Sequence, residues 1–116
     1  MVLSLWQQRV WPDVQRELDR LVARLRPLDP ERVILFGSFA RGDFHEDSDI
    51  DLVIVLNTTE RFIDRISRVL EVMDQVDFDI EPHVYTPCEY DQLRRQGAPI
   101  VEAAEREGKV LYQRSA

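Results

Sequence analysis

A chain of 116 residues that is 44% hydrophobic and 32% charged has the size and composition of one globular domain, long enough to bury roughly two thirds of its surface around a single core. Its net charge of −7, with fourteen arginines and one lysine, Lys109, among the basic residues, argues against direct binding to nucleic acid, whose phosphates are held by basic surface. With no apolar run near the ~18 residues of a membrane span and no leader pattern, a cytoplasmic protein with no membrane role is expected, and the lone Cys88 has no partner for a disulfide or a zinc set.

In chain order, Val14, Leu18, Leu21, Val22 and Leu25 recur at i, i+4, i+7, i+8 and i+11, one face of an amphipathic helix from Pro12 to Arg26. Pro12 suits the first turn of that helix, and residues 2 to 11 leave room for an earlier turn, kinked at Pro12 and carrying Trp6 and Trp11. Pro27 and Pro30 end the helix. An apolar strand, Val33 to Phe36, then stops at Gly37-Ser38. Ser38 to Arg41 is read as one helical turn, Gly42 opens the polar loop GDFHEDS, and Asp49 to Leu56 forms a second strand. Asn57 with Glu60 reads as a capping box for a helix whose buried face is Phe62, Ile66, Val69 and Met73, ending near Gln75. Val76 to Tyr85 is the third strand. Thr86-Pro87-Cys88-Glu89 supplies an N-cap, a proline at N1 and an acid at N3 for a short helix through Tyr90 and Leu93. Gly97 and Pro99 break it, Ile100 to Arg106 makes a last helix capped by Gly108, and Val110 to Tyr112 a last strand.

The chemistry concentrates in residues 33 to 56, VILFGSFARGDFHEDSDIDLVIVL. In an extended chain Asp49 and Asp51 project from one face, about 7 Å apart, a spacing that suits a divalent cation. Asp77, Asp79 and Glu81 likewise share one face of the third strand, so one of them can approach the first pair if the strands are neighbours. Converging carboxylates repel, and a cation with a preference for oxygen, such as Mg2+, removes that penalty. Two such ions are a known means of activating an attacking oxygen and stabilising a leaving phosphate. Gly37 lets the backbone approach a ligand, while the Ser38 hydroxyl and the N–H groups of the following turn suit the outer phosphates of a triphosphate. Arg41 reads equally as a phosphate ligand or as a salt-bridge partner of Asp43, Glu46 or Asp47. His45 reads as an exposed loop residue. His83, on the face of Glu81, reads either as lining the site or as packing beside it.

The run GSFARGDFHEDSDIDLVI resembles the GSxARG…SDxDLxV signature of the minimal nucleotidyltransferases (MNT), a branch of the DNA polymerase β superfamily. Gly37, Ser38, Ala40, Arg41, Gly42, Ser48, Asp49, Asp51 and Leu52 fall in register, and the closing EREGKVLY is also similar. The resemblance covers residues 12 to 112. It implies an α/β (α+β) fold with a small mixed sheet flanked by helices, a nucleotide site at Gly37, Ser38 and Arg41, and magnesium held by Asp49 and Asp51. Its third carboxylate falls on Glu81, with Asp79 the alternative, where many members carry Asp.

By that resemblance the chain is a nucleotidyltransferase using Mg2+, with two ions, and ATP, moving AMP onto a hydroxyl. The acceptor is expected on a partner, a HEPN-type toxin modified on tyrosine, so that the chain acts as an antitoxin. Two alternatives stand beside it: a nucleotide-binding antitoxin or regulatory subunit that masks its partner without catalysis, and a small-molecule transferase of the aminoglycoside-modifying kind, which would need a homo-oligomer to complete its cleft.

Overall fold

The computed structural model describes residues 2–74 and 78–115. Its elements run α1 (Leu5–Leu25), β1 (Arg32–Phe36), α2 (Ser38–Arg41), β2 (Ile50–Val55), α3 (Phe62–Val72), β3 (Ile80–Tyr85), α4 (Pro87–Arg95), α5 (Pro99–Glu107) and β4 (Lys109–Gln113), with a 3-10 turn at Arg26–Leu28. The four strands form one mixed sheet in the order β3-β2-β1-β4. β1 pairs antiparallel with both β2 and β4, while β2 and β3, joined through α3, run parallel. This is the small mixed sheet flanked by helices that the family resemblance implied.

Strand alternation assigns the two faces. Val33, Leu35, Ile50, Leu52, Ile54 and Val84 pack with Val14, Leu18, Leu21 and Leu25 of α1 and Val69 of α3. Ile34, Phe36, Val53 and Val55 face the other way, onto Tyr90 of α4 and Val101 and Ala104 of α5. β2, covered on both sides, is accordingly apolar without interruption from Leu52 to Leu56, every residue of that run being buried.

Several boundaries differ from the sequence expectation. α1 begins at Leu5, with Ser4 as N-cap in a capping box with Gln7, so Pro12 lies inside the helix rather than opening it. One intrahelical bond is lost at Pro12, but the apolar stripe below it and the cap above it hold one continuous helix. Trp11 packs against the core from within α1, and Trp6 stays partly exposed. α3 is capped by Arg61 without a side-chain bond. Thr58 and Glu60 bond to each other instead, leaving the expected Asn57 box unformed. α3 ends at Val72, short of the expected Gln75, and β3 begins at Ile80; the expected opening of that strand at Val76 and Asp77 lies outside the described residues. The Thr86–Glu89 capping box and Pro87 at the start of α4 are present as expected. Gly108 ends α5 in an extended conformation, φ −69°, and not as a left-handed cap. It is needed for space, since a Cβ there would overlap the Ala104 carbonyl oxygen and lie 2.7 Å from Ile34 Cγ2.

Among the described residues no helix is long and apolar enough to cross a membrane.

Candidate metal and nucleotide site

The C-terminal end of β1 and the N-terminal ends of β2 and β3 meet at one end of the sheet, because β1 runs against β2 while β3 runs with it. The register places Asp51 between Phe36 of β1 and Glu81 of β3, and Val53 beside His83. Asp51, Glu81 and His83 therefore share the face that Val53 and Val55 use further along to pack on α4 and α5. A carboxylate oxygen of Asp51, one of Glu81 and a ring nitrogen of His83 lie within 4.8 Å of one another. Asp51 and His83 are half-buried and Glu81 is exposed, so the group opens to solvent.

The electrostatics fit a cation. The Asp51 carboxyl is pushed up to about 6, first by burial, then by its hydrogen bond to Glu81 and the negative charges of Glu81 and Asp49, with Arg41 opposing. Crowding of the two carboxylates thus disfavours the charged form of Asp51, and a divalent ion would relieve the same repulsion. Burial holds the His83 imidazole below its ordinary range, against the pull of Glu81. Its ring packs on Phe36, with centroids 5.7 Å apart.

Gly37 forms the wall of this site. At φ 78° and ψ −159° it turns the chain from β1 into α2, and a Cβ there would overlap Asp51 Oδ2 and lie 3.1 Å from its Cγ. The close approach of backbone to carboxylate thus requires glycine on both counts. In α2, the amides of Ala40 and Arg41 donate to the Gly37 carbonyl and that of Gly42 to the Ser38 carbonyl. The first amides of the turn, at Ser38 and Phe39, precede those bonds and are left to a ligand or solvent.

Not every predicted residue joins the cluster. Asp49, exposed and one residue before β2, lies outside the 4.8 Å group and acts on Asp51 through its charge. Asp79 also lies outside it; its carbonyl accepts from Ile50 N–H at 2.8 Å, which starts the β2–β3 ladder. Arg41 forms a salt bridge with Asp43 at 3.2 Å, one of the expected partners, and with Glu107 at the end of α5 at 2.7 Å. Glu46 and Asp47 do not hold it.

Two supporting residues gave no signal in the sequence. Gln7 Nε2 donates to the carbonyls of Gly42 and Phe44, at 2.9 and 2.8 Å, and pins the loop that leads to Asp49. Glu107 anchors Arg41 from 66 residues away. Phe44 is buried and stacks on Phe39 at 4.6 Å and on Trp11 at 5.8 Å. On the α1 side of α2 a cavity of about 410 Å3 is lined by Trp11, Arg41, Phe44 and Lys109 among others, but by none of the carboxylates.

Comparison with known proteins shows the family and the fold. The family described as "Nucleotidyltransferase domain" matches residues 16–110, and the chain belongs to that family. Over 26 residues, 22% of this chain and 26% of the relative, it is 62% identical to "Putative protein adenylyltransferase MJ0141" of Methanocaldococcus jannaschii. Over 25 residues, 22% of this chain and 25% of the relative, it is 64% identical to "Putative protein adenylyltransferase MJ0604" of the same organism. The matched stretch thus spans only about a quarter of either relative. Among solved structures, a toxin–antitoxin with AMP-PNP superposes with a TM-score of 0.57 at 20% identity, covering 84% of this chain and 74% of that one. A variant of the toxin–antitoxin pair MntA–HpeT gives 0.61 at 18% identity with the same coverage. A "putative nucleotidyltransferase from Sulfolobus solfataricus" gives 0.57 at 21%, covering 93% of this chain and 84% of that one. The structural likenesses establish the fold.

Proposed function

We propose that this domain transfers AMP from ATP to a hydroxyl of a partner protein. The observation that carries the reading is the meeting of Asp51 and Glu81 against the Gly37 turn, a divalent-cation donor set beside backbone that can approach a phosphate. Asp49, Asp51 and Glu81 would hold Mg2+, with Asp49 reaching in from the loop end and Asp79 the alternative to Glu81. Gly37 and Ser38 would hold the outer phosphates, and Arg41 would stand at the mouth of the turn. When bound, the cation neutralises the carboxylates and draws charge from the phosphate oxygens. In the transfer, the acceptor oxygen forms a bond to the α-phosphorus as the bond to the β-phosphate's bridging oxygen breaks. Pyrophosphate leaves with that electron pair, and the hydroxyl proton passes to a carboxylate at the position of Glu81.

The partner class draws support from the relatives, two described as protein adenylyltransferases and two structures as toxin–antitoxin pairs. On this reading the chain is the antitoxin, and its acceptor is a tyrosine of a HEPN-type toxin. The test uses ATP labelled on its α-phosphate, Mg2+ and the protein encoded beside this one. Label should pass to that neighbour with the native chain and not with Asp51→Asn. Absence of label with the native chain, or equal label with the variant, overturns the reading.

A second reading, an antitoxin that binds nucleotide and masks its partner without catalysis, is favoured by the position of Asp49 outside the cluster and by the engagement of Arg41 with Asp43 and Glu107. It predicts neutralisation of the toxin that survives Asp51→Asn.

A further inference from the structure

We propose that His83 is a ligand of the cation held by Asp51 and Glu81, and that this imidazole selects ions of the Mn2+, Co2+ and Zn2+ class over Mg2+. The inference rests on the metal-site reading above and names the ion that the site prefers.

Three observations place the ring in the site. His83 follows Glu81 by two residues on β3, so both side chains leave the same face of the strand. The parallel register sets this pair alongside Asp51 and Val53, and since Val53 offers no donor, Asp51 is the group that both can meet. One donor atom from each of the three residues then falls within 4.8 Å of the others. Two ligands on one ion, each about 2.1 Å from it, are about 3 Å apart at right angles and about 4.2 Å apart when opposed. Small side-chain rotations therefore close the group around a cation.

The surroundings of the ring suit that role. It is half-buried and packed on Phe36, which limits its orientations. Among the described residues no hydrogen bond occupies its nitrogens.

Ligand chemistry then sets the preference. Mg2+ favours oxygen donors in strict octahedral geometry and gives up water reluctantly. An imidazole nitrogen with two carboxylates suits Mn2+, Co2+ and Zn2+, whose affinity for nitrogen exceeds that of Mg2+. Replacing one oxygen ligand of a magnesium-type site by His83 therefore shifts its preference without removing its charge.

The experiment uses the full chain, stripped of metal by a chelator and folded as judged by circular dichroism. Mn2+ binding is followed by the loss of the free-ion electron paramagnetic resonance signal, with Mg2+ as competitor, and the bound ion by pulsed measurement of nitrogen couplings. The native chain should bind Mn2+ at least about tenfold more tightly than Mg2+ and show a coupling from a directly bound 14N. His83→Ala should lose that coupling and weaken Mn2+ about tenfold or more while changing Mg2+ by less than about threefold. Bound Mn2+ without nitrogen coupling in the native chain overturns the inference, as does an unchanged Mn2+ affinity in His83→Ala. Absence of any bound Mn2+ also overturns it. If His83→Ala fails to fold, the nitrogen coupling of the native chain decides alone. AMP transfer without nitrogen coupling would sink this inference and leave the proposed function standing. Nitrogen coupling without AMP transfer would do the reverse.

Discussion

Replacing Gly37 by alanine separates two roles of one residue. The backbone at φ 78° and ψ −159° lies where only glycine sits freely, so a side chain there costs about 1–3 kcal/mol. For a chain of this length, each kcal/mol lowers the melting temperature by about 4 °C, which gives a fall of about 4–12 °C. The second effect is steric. The new Cβ would overlap Asp51 Oδ2 and lie 3.1 Å from Cγ and 3.3 Å from Cβ of that residue. A carboxylate oxygen is the far end of a short side chain and can rotate away, so this overlap displaces a proposed metal ligand while adding little to the loss of stability. Urea and thermal unfolding measure the first effect, and Mn2+ or Mg2+ binding measures the second. Made in an Asp51→Ala background, Gly37→Ala should cost the same stability within about 0.5 kcal/mol, because the backbone strain remains when the carboxylate is gone. Unchanged stability would refute the strain argument, and native cation affinity in the single variant would refute the displacement of Asp51.

The site also predicts a pH dependence. Because Asp51 is raised from 3.8 to about 6 in the folded chain, its contribution to stability in chelator is complete below about pH 3.8 and is lost as pH rises through about 6. Denaturant midpoints across that range should fall for the native chain, and Asp51→Asn should flatten the slope. Gly108→Ala should destabilise by about 1–3 kcal/mol: its φ of −69° suits any residue, but the added carbon meets the Ala104 carbonyl and Ile34. Native stability of this variant by urea unfolding would show that α5 can move away from β1. Gln7→Ala removes two hydrogen bonds to the loop after α2, and should cost about 1–2 kcal/mol and speed amide exchange between residues 43 and 48. Unaltered exchange there would mean that the Phe44 stack alone holds the loop. Tyr90→Phe loses the hydroxyl that donates to Glu105 at 2.8 Å, for about 1 kcal/mol. The native phenol, pushed up to about 12 by burial and by Glu105, should stay protonated in ultraviolet titration well past pH 10.

What the sequence revealed depended on the range of the interaction behind each feature. The β1–turn–β2 unit was legible because its signals are local: an apolar run, a glycine, a polar loop and a second apolar run. The Thr86 cap of α4 was legible for the same reason. The start of α1 was not, since Pro12 looks like a first-turn residue, whereas the helix runs through it from the Ser4–Gln7 capping box. Arg41 could be matched to a nearby acid, Asp43, but its shorter contact is to Glu107, which only the packing of α5 brings within reach.

The proposed third carboxylate shows where the limit falls. Period two puts Asp79 and Glu81 on one face, and no local rule chooses between them. The choice is made by register: Ile50 N–H takes the Asp79 carbonyl, Ile50 pairs with Ile80, and Glu81 is thereby set beside Asp51. A slip of one residue would turn Glu81 and His83 to the other face of the sheet, among Leu52, Ile54 and the helices that cover them. That face is the larger apolar core, where an unpaired carboxylate is costly to bury. The same burial that holds Val84 inward therefore fixes Glu81 and His83 outward, and the composition of the site follows from which side of β3 the core can tolerate.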